Sequence, residues 1–263
     1  RPMTIVKHEL RLGRKAWIIW CASVSFLLVV CIFLFPEMKG EMDNISTMFS
    51  DMGSFTAAFG MDKLNFGTLV GYYAIECGNV LGLGGAFFAS LCAASILCRE
   101  EKERTAEFLL THPVSRVRII TEKLIAVFIQ VLAMNVIVYA LSIISLAAVG
   151  ERIPWKEITL LHLAFLIMQI ELCGICFGIS AFMRKASVGV GLGITFILYF
   201  MNLISNISEK AEGLKYITPF AYCDGATIVS DLKLDAAKIA IGMAFCAAGI
   251  AAAYINYTQK DIH

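Results

Sequence analysis

Charge is scarce in this chain. Asp, Glu, Lys and Arg make up 16% of the 263 residues and hydrophobic residues 59%, where an ordinary soluble domain carries about 25% charge. A large soluble protein with buried helices would need polar faces on those helices, and the long apolar stretches here have none. Proline is scarce too. Pro2, Pro36, Pro113, Pro154 and Pro219 are the whole complement, and all fall outside the long apolar runs, as unbroken helices require. Histidine occurs four times, scattered along the chain. His8-Glu9 opens like a zinc-helix motif, but Leu12 stands where the second histidine must be. There is no Gly-x-Ser-x-Gly, and no Gly-rich loop followed by Lys and Ser or Thr. The Gly82–Gly85 run lies inside an apolar stretch and is not a phosphate loop. Hydrolytic catalysis and ATP hydrolysis by this chain alone are therefore not expected. No metal or cofactor is expected in it either. The net charge of +1 gives no reason to expect nucleic acid. A cleavable signal peptide is not visible, since Trp17–Phe35 is too long for one and no small-residue cleavage site follows it.

What is present is length in apolar runs. Six of about 20 residues recur at 17–35, 72–98, 124–149, 158–183, 186–206 and 236–257, each enough to cross about 30 Å of hydrocarbon. The pattern predicts an all-α membrane protein, one domain over 1–263, with six transmembrane helices. With both termini inside, 14 Lys and Arg fall on the inner side and eight on the longer outer loops. The positive-inside rule thus predicts cytoplasmic termini in a multi-pass cell-membrane protein. Trp17, Trp20 and Tyr257 then mark the inner interface, and Tyr72, Tyr73 and Trp155 the outer one.

Between the runs, the basic segment Met3–Lys15 reads either as a helix lying on the inner membrane surface or as a frayed tail. Apolar residues at spacings of three and four over Glu41–Gly60 predict one interfacial amphipathic helix. Its methionines suggest a Met-rich lipid or substrate surface. A Cu(I) site is the alternative, although no His or Cys lies among them. Gly78 with Gly82, and Gly174 with Gly178, predict close helix packing, as do Gly189, Gly191 and Gly193. Cys173 and Cys176 form a Cys-x-x-Cys inside a span, where packing is the better reading than redox or metal chemistry. The aromatic and turn residues within Ile207–Lys238 predict a short structured cap over the outer end.

Ionisable groups at membrane depth cost several kcal/mol unless partnered. Glu171 falls near the middle of the fourth run, with Gln169 beside it, while Asn135 and Asn202 lie in the third and fifth. These four either line a polar translocation path or act as interhelical glue, with Glu171 bonded to Asn135 or Asn202. Glu76 lies nearer the outer end, where it can reach water.

The charged island Arg99–Lys123 separates the second and third runs. Arg99 with Glu103, and Glu100 with Arg104, are opposite charges four apart, which supports a helix. Thr105, Phe108, Leu109 and His112 share one face, and Pro113 ends the helix at His112. Ser115 is a candidate N-cap for the third span. Arg116 and Arg118 fall in that helix's first turn, where the dipole disfavours cations, so they need lipid headgroups or an acidic partner. The block at 101–116, Glu-Lys-Glu-Arg-Thr-Ala-Glu-Phe-Leu-Leu-Thr-His-Pro-Val-Ser-Arg, with Lys123 after it, resembles the first cytoplasmic loop of type-2 ABC exporter permeases. Thr-Pro-Phe-Ala-Tyr at 218–222 and Tyr-Thr-Gln-Lys-Asp-Ile at 257–262 are similar to their last outer segment and C-terminus. Thr105-Ala106 departs from the family's frequent Gly-Thr.

The resemblance implies a transport subunit rather than an enzyme. It implies a second permease subunit, identical or homologous, and two separate ATPase subunits that carry ATP and Mg. It also implies a cytoplasmic docking helix between spans two and three, with Glu101, Arg104, Thr105, Phe108, Leu109, Pro113 and Arg116 coupling to the ATPase. Apolar Met- and Phe-rich surfaces suggest an amphipathic or lipophilic cargo. The alternative is a self-contained secondary transporter using Glu171 as a midplane site, although the two three-span halves look dissimilar.

Overall fold

The computed structural model describes residues 3–97, 115–183, 185 and 187–259. All regular structure among them is helical, and six helices are long and apolar enough to cross a membrane.

Helix α1, Thr4–Met38, has 35 residues and is therefore about 52 Å long. The basic segment is neither a frayed tail nor a separate surface helix; it forms the first turns of α1. The reason lies in another helix. Glu122 Oε2 accepts from the backbone amides of Ile5 at 2.9 Å and Val6 at 3.3 Å. Those N–H groups have no intrahelical partner, and they form the positive end of the helix dipole. Pro36 lies inside this helix, in its last turn, and the chain stays helical to Met38. The single amphipathic helix expected over Glu41–Gly60 is two, α2 (Met42–Asp51) and α3 (Ser54–Ala58). Gly53 separates them with a φ of 48°, a backbone conformation that glycine adopts without steric cost. Met42 packs into a satellite core with Phe35, Phe66 and Tyr72, while Met48 and Met52 are exposed.

Helix α4, Leu69–Ala94, is capped by Thr68, whose hydroxyl accepts from the Gly71 amide at 3.2 Å. Its middle, Gly78–Leu83, is π-helical. Helix α5, Arg116–Val149, is capped by Ser115 through the Arg118 amide and stops at Gly150, where φ is 79°. Helices α6 (Trp155–Phe182) and α7 (Val188–Ile207) follow. Two 3-10 segments, Glu209–Tyr216 and Pro219–Cys223, lead to the short α8 (Gly225–Asp231) and the closing α9 (Ala236–Gln259). The expected structured cap is therefore present over 209–231.

Helix α6 is the centre of the bundle. Of its most apolar window 67% is buried, against 17% for α7 and α9. Small residues bring its neighbours in. A Cβ at Gly174 would overlap Cys246, and one at Gly178 would overlap the Gly249 backbone, so α6 and α9 meet nearly backbone to backbone. On the opposite side, a Cβ at Gly82 would meet the Phe165 ring 2.8 Å away. Both glycine pairs are therefore occupied within one chain. Gly191 packs on the backbone at Ser90, and Thr195 Oγ1 donates to Ser90 Oγ at 2.7 Å; a Cβ on Gly193 would meet nothing within 4 Å among the described residues. All the described cysteines are free thiols, and Cys173 and Cys176 are fully buried in the packing.

Long-range contacts sort the helix ends. The start of α1, the end of α4, the start of α5 and the end of α9 meet at one end of the bundle. At the other, Lys39 pairs with Glu151 at 3.1 Å, joining the ends of α1 and α5. We call these the terminal end and the loop end.

Candidate functional site

Three polar groupings stand out against the apolar bundle. The first lies along α6, and its members divide between two faces of that helix. Gln169 turns toward α4 and α5, where Asn135 Nδ2 donates to its Oε1 at 2.6 Å. A Cβ on Gly85 would overlap the Gln169 amide, so that glycine makes the room. About two turns toward the loop end, His162 Nε2 shares a hydrogen bond with the Tyr73 hydroxyl. Glu171 turns the other way, toward α9 and the cap. Tyr222 donates to its Oε2 at 2.7 Å, and a Cβ on Gly242 would overlap the carboxylate. Glu171 is 0% exposed, and its Oε1 has no hydrogen-bond partner among the described residues.

The expected partners of Glu171, Asn135 and Asn202, are thus corrected. Asn135 is taken by Gln169, and Asn202 lies on α7 in a separate cleft. Residues 169 and 171 are two apart, which on a helix is about 200°, so they cannot face the same neighbour. Within one chain the four path candidates form one pair, one Tyr222-bound carboxyl and one cleft residue. Glu76 is half-buried and accepts from the Cys31 thiol at 3.4 Å.

The second grouping is a cleft at the loop end, between α3 with the turn after it and the 206–238 segment. Its floor has about 80 Å³ of free volume and reaches Asn79 on the π segment and Asn202 on α7. Its mouth, about 140 Å³, is lined by Lys63, Lys215, Lys233 and Lys238, with Asp62, Asp224 and Asp235. Lys238 is bound to Asp235 at 2.8 Å, and hydrogen bonds from the Lys238 side chain and amide hold the Asp235 carboxyl below the usual carboxylate range. Asp224 Oδ2 caps α8, accepting from Thr227 N at 3.2 Å and Thr227 Oγ1 at 2.6 Å.

The third grouping is an ionic knot at the terminal end. Lys123 Nζ donates to Glu9 Oε1 and to the Ile96 carbonyl, both at 2.8 Å, with side-chain exposures of 0% and 1% for Lys123 and Glu9. The Leu97 amide donates to Ser180 Oγ at 3.1 Å. The last described residues before segment 98–114 are thereby held by α5 and α6, and Glu9 ties α1 to the same lysine. On the far side of that segment, Arg118 Nε donates to Glu122 Oε1 at 2.8 Å and Arg116 Nη1 donates to the Thr258 carbonyl at 3.3 Å. These arginines find their anionic company inside the chain, in a carboxylate and in the negative end of the α9 dipole. The coupling candidates Glu101, Arg104, Thr105, Phe108, Leu109 and Pro113 lie outside the described residues; Arg116 alone is placed.

Sequence reasoning missed Tyr222 as the partner of Glu171, and it missed the Glu9–Lys123 pair. The second had a signal: Lys123 borders an apolar run, where a lysine needs a counter-ion. The first had the same signal on the Glu171 side, a deep carboxyl that needs a partner, but nothing that singled out Tyr222.

A family model described as ABC-2 family transporter protein matches residues 3–262, nearly the whole chain and all six long helices. No curated protein matches the chain.

Proposed function

The chain belongs to that ABC-2 transporter family and is a multi-pass permease subunit, and on this premise we propose that it exports an amphipathic or lipophilic cargo using ATP hydrolysed on separate subunits. Two ATPase subunits holding ATP and Mg would act on a pair of permeases, this chain and an identical or homologous second one. The stretch Glu101–Pro113 would be the docking element, with the terminal end cytoplasmic in the cell membrane. Nothing in the geometry favours the self-contained secondary transporter, because Glu171 is sealed against Tyr222 and α9.

The observation that carries this reading is the knot at the root of segment 98–114. A buried ion pair seldom adds stability over a well-packed apolar pair, because desolvation of both charges offsets their attraction. Its better-attested use is to fix register. Here Lys123 grips the end of α4 and Glu9 of α1 from α5. A push on the adjoining segment would therefore reach three spans together rather than bend one.

The test is co-purification of the ATPase, with ATP turnover, for variants in the segment. Burying one large apolar side chain is worth roughly 1.5–3 kcal/mol, so Phe108→Ala should weaken docking about ten- to a hundredfold. Glu101→Ala removes one charge, and a surface ion pair is worth up to about 1 kcal/mol, so it should weaken docking less. A fully coupled complex recovered normally with Phe108→Ala removes this segment as the docking site.

A further inference from the structure

We propose that the loop-end cleft binds an anionic amphiphile, with its phosphate or carboxylate head among Lys63, Lys215 and Lys233 and its polar neck against Asn79 and Asn202. Two independent observations support this. The first is at the floor. Asn79 lies ten residues into α4, about 15 Å from its loop end, and Asn202 five residues short of the end of α7, about 8 Å. Neither side chain has a hydrogen-bond partner among the described residues, and both border the same cavity, Asn79 exposed and Asn202 half-buried. An amide left unmade in hydrocarbon is costly. Two carboxamides at that depth therefore call for water or for a ligand with hydrogen-bonding groups below its head. The Asn206 amide is different: it donates to the Ala58 carbonyl at 3.0 Å and holds the wall in place. The π segment contributes the shape, since Gly78 and Asn79 both border the cavity, and such insertions recur at functional sites.

The second observation is at the mouth. Gly60, Asn206 and Asp224 border both the floor and the mouth, so the two cavities adjoin. Of the four lysines there, Lys238 is committed to Asp235 and lies 6.0 Å from the Tyr216 ring centre. Lys63, Lys215 and Lys233 have no ion-pair partner among the described residues. Asp224 is turned into the first turn of α8, which leaves Asp62 as the one carboxylate of the mouth with no bond among the described residues. Cations above amides, with Phe59, Tyr199 and Phe220 around the floor, match a molecule with an anionic head, a hydrogen-bonding neck and an apolar tail. The tail would lie along the apolar lining of the cavity, past Tyr199 and Leu203 of α7. As a statement about cargo this rests on the transporter reading; as a statement about binding it does not.

The test uses the full chain, without ATPase, in uncharged detergent. It is labelled with photoreactive phosphatidylglycerol and with a phosphocholine analogue of identical tails, and the adducts are mapped by mass spectrometry. The expected result is at least a tenfold preference for the anionic analogue, with adducts at the cleft. Lys63→Glu/Lys215→Glu/Lys233→Glu should abolish that preference, the three corresponding Lys→Arg changes should keep it, and Lys156→Glu, outside the cleft, should leave it intact. Asn79→Leu/Asn202→Leu should lower cleft labelling severalfold, with the elution profile unchanged. Equal labelling by both analogues, or a preference that survives the triple Glu variant, overturns the proposal. Protection of the cleft by millimolar inorganic phosphate alone also overturns it, because a free anion would then be sufficient. Each of these failures leaves ATPase docking untouched, so the cleft can be wrong while the permease reading stands.

Discussion

Replacing Tyr222 by Phe tests the contact that ties the loop-end cap to the centre of the bundle. The ring, 4% exposed, stays in place. Only the hydroxyl that donates to Glu171 Oε2 at 2.7 Å is lost. Glu171 is fully buried and its Oε1 already has no partner among the described residues. Leaving such an acceptor unmade costs about 1–3 kcal/mol, or roughly five- to 150-fold in the folding equilibrium. Glu171→Leu should cost a similar amount, because it strands the tyrosine hydroxyl. The double variant Glu171→Leu/Tyr222→Phe removes both polar groups and should recover most of the loss, since an apolar pair of matching shape is nearly neutral. A double-mutant cycle should therefore show a coupling of at least about 1 kcal/mol. Reversible unfolding in mixed SDS micelles measures it. Additive single effects would refute the contact. ATP turnover per folded, assembled complex should be unchanged in all three variants. Normal stability with lost turnover would instead place Glu171 on the cargo path.

Lys123→Met leaves the buried Glu9 carboxylate facing an apolar side chain and should cost about 3–5 kcal/mol, while Glu9→Gln/Lys123→Met should return most of it; the same titration reads both, and a loss under about 1 kcal/mol for the single variant contradicts a tight pair. At the seam between α6 and α9, Gly178→Leu should prevent recovery of a monodisperse protein, because the added Cβ meets the Gly249 backbone, which cannot rotate away. Gly193→Leu, with nothing within 4 Å of its Cβ among the described residues, should elute and unfold like the parent, and equal damage from both would mean that bulk rather than contact is decisive.

Much of the fold could be read from the sequence because its determinants are local. Length and hydropathy mark a helix that must satisfy its own backbone in lipid, and six such runs are visible without knowing any partner. The caps at Ser115 and the closing turn at Gly150 depend on a few neighbouring residues, as does the break at Gly53, where the amphipathic spacing misled because it carries no information about φ. The same locality made the expected partners of Glu171 wrong. Being polar and deep, it announced a need for a partner, and the composition of the spans offered Asn135 and Asn202 as the nearest chemistry. Which of them meets it depends on helix rotation and on a cap that dips from the loop end.

The sequence by itself thus determined that this is a six-helix membrane protein, that its charges gather between the second and third spans, and which deep residues require company. Only the tertiary structure decided what that company is. Tyr222 reaches Glu171 across 51 residues, Lys123 reaches Glu9 across 114, and Glu122 caps the amide of Ile5 across 117. The physical reason is that a helix's hydrogen bonds and hydropathy are settled within about four residues of each position. The pairing of buried side chains is settled by how whole helices rotate and approach, which small residues such as Gly174, Gly178 and Gly242 permit but do not name.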